Sequence, residues 1–197
     1  MSNEEALRRL KTYLLAFGFL TEGDVEDLLR HVSFRKLERN EFFIREGEVN
    51  DEVGFVLSGI FRSFYVSPVG DEITYCILFP DIFIAAYSSY ITGNPSVENI
   101  QAIAPAALIV LPRREIARLS AVSTGWLRFE KMVAEQQYLE LERRVFQFQK
   151  ESAAERYASL LRDYPDYVKH IPLHYLASYL GITQRHLSRI RREAAAF

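Results

Sequence analysis

Cysteine is nearly missing from this sequence. Cys76 stands alone among 197 residues, which excludes an intrachain disulfide, a four-cysteine iron–sulfur site and a zinc finger. Histidine is scarce too: His31, His170, His174 and His186 are not at metal-ligand spacing, and Pro172 separates the one pair four apart. No metal and no cofactor is expected. No apolar run approaches the roughly 20 residues of a membrane span. The first turns interleave Glu4, Glu5, Arg8, Arg9 and Lys11 with apolar residues, an amphipathic helix and not a signal peptide. A soluble, cytoplasmic chain without membrane contact is expected. Cys76 lies in the alternating stretch Ile73 to Leu78, where a buried, unreactive thiol is the natural reading.

What is present is enough apolar material for a sizeable core: 49% of the side chains are hydrophobic, and the length leaves room for two domains. From about Phe34 to Pro112 the pattern is that of strands. Phe42 to Ile44, Gly54 to Leu57, Ile60 to Val66, Ile73 to Phe79, Asn99 to Ala104 and Ala107 to Leu111 are short apolar or alternating runs. Turn signals separate them at Glu46-Gly47-Glu48, Ser58-Gly59, Pro68 to Asp71, Pro80-Asp81 and Gly93-Asn94-Pro95. Many short strands at close intervals predict an antiparallel double-sheet roll.

After Arg113 the period becomes helical. Val122 to about Glu151 has no proline and a single glycine, Gly125, near its start; a helix of that length reaches roughly 40 Å, more than a small roll can cover. Two apolar stripes can be traced along it, one through Phe129, Met132, Leu139 and Phe146, the other through Leu127, Ala134, Tyr138, Leu141, Val145 and Phe148. One stripe is expected to cover the roll and the other to meet a twin helix in a twofold homodimer.

Leu173 to Arg192, LHYLASYLGITQRHLSRIRR, satisfies the demands of a helix-turn-helix. Leu176, Ala177 and Leu180 give a first helix its buried side, Gly181 supplies a turn residue free to take positive φ, and Ile182, Leu187 and Ile190 turn a second helix inward. The opposite face of that second helix carries Gln184, Arg185, Ser188, Arg189 and Arg192 in one stripe, a shape suited to a DNA major groove. Charge agrees: from His170 onward there are four arginines and one glutamate, +3, in a chain of net charge −2. One basic end on an acidic chain suits selective DNA binding better than nonspecific coating.

The order of short leading helices, roll, long helix and terminal helix-turn-helix resembles the Crp/Fnr family of bacterial transcription regulators, relatives of the cyclic-AMP receptor protein. In the roll the likeness rests on Ile44 to Glu48, Gly54 to Gly59 and Gly70-Asp71-Glu72; in the tail it rests on Ile171 to Arg192. Ser152 to Tyr157 followed by Tyr175 to Arg191 looks like a short-tailed, Bacteroidetes-type subgroup. The resemblance implies an α+β chain with a β-roll at 1–121, a dimerisation helix at 122–151 and a helix-turn-helix domain at 152–197. It implies double-stranded DNA with a palindromic site, a second copy of the chain and RNA polymerase as partners, and an unidentified small-molecule effector. By position, Gln184, Arg185, Ser188 and Arg189 are the base-edge candidates. The sequence stops five residues after Arg192, so no β-hairpin wing is expected there, and phosphate contacts are assigned to Thr183, His186 and Arg192.

One departure from the family matters. Its cyclic-nucleotide binders hold the ribose and phosphate with a Gly-Glu pair and an Arg followed by a small hydroxyl residue. Asp81 to Tyr87 has neither Gly nor Glu, and Asn94 to Ala102 has no Arg. A phosphodiester beside Ala85, Ala86 and Glu98 would lack its cation and meet a like charge, so control by cyclic AMP is not expected. The effector-pocket candidates are Ile84, Ala85, Ala86, Tyr87, Ser96 and Val97. Two other classes compete with a regulator. A cupin-like enzyme needs several metal ligands inside the barrel, and the roll has no histidine after His31, so no enzyme and no catalytic residue is expected. A small-molecule-binding or scaffolding dimer without DNA affinity leaves the arginine stripe unexplained.

Overall fold

The computed structural model describes residues 1–194, so the last three residues of the expected 152–197 unit lie outside the described residues. Two helices lead, α1 (Asn3–Leu15) and α2 (Glu22–Leu29), each opened by a capping box, Ser2 with Glu5 and Thr21 with Asp24, which satisfies amide groups that the first turn leaves free. The strands follow: β1 (Ser33–Leu37), β2 (Phe42–Ile44), β3 (Glu52–Ser58), β4 (Phe61–Val66), β5 (Glu72–Leu78) and β6 (Phe83–Ile84), then a short helix α3 (Tyr87–Thr92), then β7 (Asn99–Ala102) and β8 (Ala106–Pro112). They form two antiparallel sheets, ordered β1-β8-β3-β6 and β2-β7-β4-β5. The remainder is helical: α4 (Arg113–Val122), α5 (Thr124–Lys150), α6 (Ala153–Asp163), α7 (Pro165–Val168), α8 (Leu173–Leu180) and α9 (Gln184–Ala194). The α+β double-sheet roll, long helix and terminal helix pair are the architecture expected from the pattern. Among the described residues no helix is long and apolar enough to cross a membrane.

Helices cover both outer faces of the roll. Between the sheets lie Val56, Phe61, Ile84, Ile100, Leu108 and Val110. Phe55, Leu57, Ile109 and Leu111, the alternate residues of β3 and β8, point outward into a second core with α1, α2, α4 and the start of α5. This explains why β8 reads as an unbroken apolar run: its strand is buried on both sides. On the far sheet, Ile60, Ile77, Phe79 and Ile103 belong to a third core shared with α6, α8 and α9. The β4–β5 pairing slips by one residue at Tyr75, a bulge between Ser63↔Cys76 and Phe64↔Thr74. Thr74, beside the bulge, is buried, and its amide donates to Ser178 of α8. Where β4 begins, Gly59 sits at φ +92° with Ala106 so close that a Cβ would approach its Cβ at 2.5 Å, so the turn there requires glycine.

Several details differ from the sequence reading, the short β6 and α3 among them. The strand β1 was not anticipated, because Ser33–Leu37 mixes charged and apolar residues; its register against Ala106–Val110 of β8 holds it. The helical stretch after Arg113 is broken at Ser123, whose extended backbone ends α4 and whose side chain accepts the Trp126 amide to start α5. Finally, the long helix divides along its length and not into two longitudinal stripes. Trp126 and Phe129 are buried against the roll with Met132 and Val133 packed beside them, whereas Tyr138, Leu139, Leu141, Val145, Phe146 and Phe148 are all exposed. Leu139 and Phe146 therefore do not cover the roll, because the helix has run past its edge.

Trp126 is 2% exposed and joins α5 to the leading helices. Replacing it with alanine is expected to cost about 3–5 kcal/mol, seen as a lower urea midpoint with an unchanged slope.

Candidate nucleic-acid interface and effector segment

The two terminal helices are set against each other by their turn. Gly181 takes φ +69°, and its amide donates to the Ser178 carbonyl while that of Ile182 donates to Ala177, both at 3.0 Å. This pairing closes α8. A side chain at Gly181 would be strained twice, by that φ and by the Phe148 ring, 2.7 Å from where a Cβ would stand. Thr183 then starts α9: its Oγ1 accepts the His186 amide at 3.2 Å, the role its residue type favours.

Along α9, Leu187 and Ile190 are buried in the third core, and the remaining face is open. Gln184, Arg185, Ser188, Arg189 and Arg192 are exposed, Thr183 also, and His186 is half-buried. Arg189 has a distant contact to Glu193, 3.9 Å. The structure thus places the seven expected residues on one end, with the five stripe residues sharing a face. Arg191 is different: its Nε donates to the Tyr157 hydroxyl at 3.1 Å and ties α9 to α6.

Sequence reasoning missed the groups that hold this pair of helices. At the carboxyl end of α8, Arg144 of α5 donates to the Tyr179 carbonyl and lies 3.8 Å over the Tyr179 ring. Arg156 of α6 donates to the Leu180 carbonyl at 2.8 Å. Both cations meet the negative end of the α8 dipole. Burial pulls the Arg144 pKa down, against the surrounding phenol and thiol charges. The local sequence carries no signal for such roles: Arg144 stands beside Arg143 among Glu140, Glu142 and Gln147, and its partners lie on α8.

The effector candidates fall into different surroundings. Ile84 and Ala86 belong to the core between the sheets, and the Ala86 amide donates to Asn50 Oδ1 at 2.6 Å. Ser96 is buried and donates to the Glu98 carbonyl, accepting the Glu98 amide in return. Ala85 and Tyr87 are half-buried, and Val97 is 70% exposed. Arg113 reaches the outer side of α3, over the Tyr90 ring and onto the Ile91 carbonyl. Inside, Glu98 is 7% exposed and accepts the Tyr75 hydroxyl. Burial pushes its carboxyl pKa up, partly offset by hydrogen bonds from Tyr75 and Ser63. The nearby Cys76 is half-buried, not buried as its alternating stretch predicts, and desolvation pushes its thiol up to about 11. Among the described residues no cluster fit to hold a metal ion occurs.

Residues 34–123 match the model of the cyclic nucleotide-binding domain family. Solved structures share the wider architecture. FixK2 from Bradyrhizobium japonicum superposes with a TM-score of 0.74 at 16% identity, covering 84% of this chain and 85% of its own. A putative Crp/Fnr-family transcriptional regulator from Eubacterium rectale gives 0.72 at 16% identity, over 94% of this chain and 88% of its own. The catabolite activator protein of Thermus thermophilus gives 0.58 at 19% identity, over 93% and 87%. At these identities the likeness is one of fold. A search of curated proteins finds none that matches.

The raised pKa of Glu98 has a consequence for stability. A carboxyl whose folded pKa lies above its unfolded value destabilises the fold once ionised, and that penalty is relieved as pH falls through the folded pKa. Glu98→Gln, which keeps an acceptor for Tyr75, is therefore expected to be more stable than the wild type at pH 8. The gap should close toward pH 4 in thermal melts taken across that range.

Proposed function

We propose that this chain is a sequence-specific DNA-binding transcription regulator of the Crp/Fnr type, acting as a homodimer and not controlled by cyclic AMP. The observation that carries the reading is the division of α9. Its inner face is locked in a core by Leu187 and Ile190, while five polar or cationic residues of the other face have, among the described residues, no structural employment beyond the Arg189–Glu193 contact. Arg185 and Arg189 suit the O6 and N7 of guanine, Gln184 suits adenine, and Ser188 sits between them on the same face. Thr183, His186 and Arg192 flank that stripe and serve the phosphates. Ser152 to Tyr157 points, within that family, to the Bacteroidetes-type subgroup, and RNA polymerase is the further partner such a regulator needs.

The bare end of α5 supports the dimer. Leu141 is 63% exposed beside Tyr138, Leu139, Val145 and Phe146, also exposed, the kind of surface a second copy covers. Twofold pairing places the two α9 helices on half-sites about 34 Å apart, one turn of the duplex. In this reading the roll runs to residue 121, the dimerisation helix over 122–151 and the DNA-binding unit over 152–197. The effector segment supports independence from cyclic AMP: Ile84, Ala85, Ala86, Tyr87, Ser96 and Val97 carry no cation, and buried Glu98 repels a phosphodiester. With Ile84 and Ala86 packed into the core between the sheets, the effector in this reading is a less polar ligand against that segment, or there is none.

The test is selection of DNA sites followed by anisotropy titration. Arg185→Ala and Arg189→Ala are each expected to cost about 1–3 kcal/mol on the selected palindrome and to relax one base position per half-site, whereas Arg192→Ala weakens all sequences alike. Unchanged binding by the double variant would favour a scaffolding or small-molecule-binding roll instead. Leu141→Glu should shift the light-scattering mass from dimer to monomer. Cyclic AMP and cyclic GMP at millimolar concentration should give no saturable heat and no thermal shift; a ligand at a hundred times its Kd would add about 2.7 kcal/mol and be plain.

A further inference from the structure

Strand β5 is an edge of its sheet, and an edge presents amide and carbonyl groups that need covering. Here α8 covers them. The Thr74 amide donates to Ser178 Oγ at 2.9 Å, and that hydroxyl donates to the Glu72 carbonyl at 3.2 Å. One serine of the helix-turn-helix thus takes the place of a neighbouring strand.

Beside this contact lies Arg62 of β4, a cation in the middle of an apolar strand, with its side chain 2% exposed. Its guanidinium is held between two rings, 3.8 Å from the centre of Phe64 and 3.7 Å from that of Tyr175. Nε and Nη2 both donate to Gln101 Oε1, at 3.0 and 2.7 Å, and Nη2 also reaches the Glu72 carboxylate. Phe64, Gln101 and Glu72 belong to the roll. Tyr175 belongs to α8 and closes the cage from the other side.

Burying a cation is costly unless its partners compensate. The two rings, the amide and the carboxylate do so in large part, since a desolvated guanidinium stacks well on aromatic faces. Compensation is incomplete, because Arg62 Nη1 and Thr74 Oγ1 are buried there without a hydrogen-bond partner. Such a seam defines orientation sharply through the flat cation while holding less firmly than its area suggests. The recognition stripe of α9 stays exposed with the seam closed, so the docked arrangement leaves it open to DNA.

We propose that Arg62 is a positioning residue for DNA binding: by gripping Tyr175 it fixes α8, and with it α9, against the roll. The state of the roll then reaches the DNA-binding end directly through the sheet β2-β7-β4-β5. This rests on the reading of α9 as the DNA-contacting helix. In a dimer the two such helices must match a fixed half-site spacing, and a helix pair free to swing loses that preorganisation.

The experiment compares full-length wild type, Arg62→Ala, Arg62→Lys, Tyr175→Ala and the double alanine variant. Two readouts are taken: hydrogen exchange over 72–78 and 173–180 against β3 and β8, and anisotropy on the selected palindrome and on one whose half-sites are misplaced by half a helical turn. Each alanine variant should exchange faster over 72–78 and 173–180 with β3 and β8 unchanged. Each should lose about tenfold in affinity for the correctly spaced site, and the double variant no more than either alone. Base preference should be intact and the advantage over the misplaced palindrome smaller. Arg62→Lys should resemble the alanine variant, since an ammonium cannot stack as a plane. If Arg62→Ala does not fold, Tyr175→Ala at the half-buried side of the cage carries the same comparison. Faster exchange with unchanged affinity and spacing preference would overturn the role, and so would tighter binding. A wild type that selects no DNA would sink the regulator reading together with this role, and is recognised because the unaltered chain fails.

Discussion

Flat arginine cations laid on aromatic rings hold the carboxyl-terminal helices to the rest of the molecule. Arg62 grips α8 through Tyr175 from the roll, Arg144 grips it through Tyr179 from the long helix, and Arg156 takes its last carbonyl from α6. Guanidinium suits this work because it stacks and donates at once, so a single side chain fixes both the distance and the rotation of its partner. A lysine could hold either a ring or a carbonyl but would set neither angle. The exposed face of α9 therefore takes its direction from three different parts of the chain.

Most of the architecture was legible from local pattern. Alternating runs bounded by glycine and proline marked the central strands, and the helix-turn-helix was visible because its buried and exposed residues are four or fewer positions apart, so Leu187 and Arg185 could be assigned to opposite faces of one helix. What stayed hidden depends on partners far along the chain. Ser33–Leu37 is a strand because β8 lies beside it. The bare end of α5 is bare because the roll stops short, which no periodicity records; Leu139 and Phe146 look as coverable as Phe129. Arg62 reads in sequence as one more residue of an apolar run, and its cage is assembled from residues up to 113 positions away. The effector segment was legible only in what it lacks, since the composition of Asp81–Val97 does not say that Ile84 faces inward and Val97 outward.

Both outer faces of the roll are occupied, one by α1, α2, α4 and α5, the other by α6, α8 and α9. Polar residues of a sheet so covered are buried with it, as Arg62 and Thr74 are, and burial likewise raises the pKa of Glu98 just before β7.

The edge of β5 has one further consequence, which belongs to the time before the structure exists. Thr74 waits for Ser178, 104 residues later in the chain, and at about 5–20 residues per second the ribosome takes roughly 5–20 s to deliver it. Throughout that interval the hairpin of β4 and β5 has an uncovered edge carrying Ile73, Ile77 and Phe79. The bulge at Tyr75 twists that edge out of the flat form that neighbouring chains pair with most readily. On a nascent chain it acts as a guard for a surface that only the last-made helices can close.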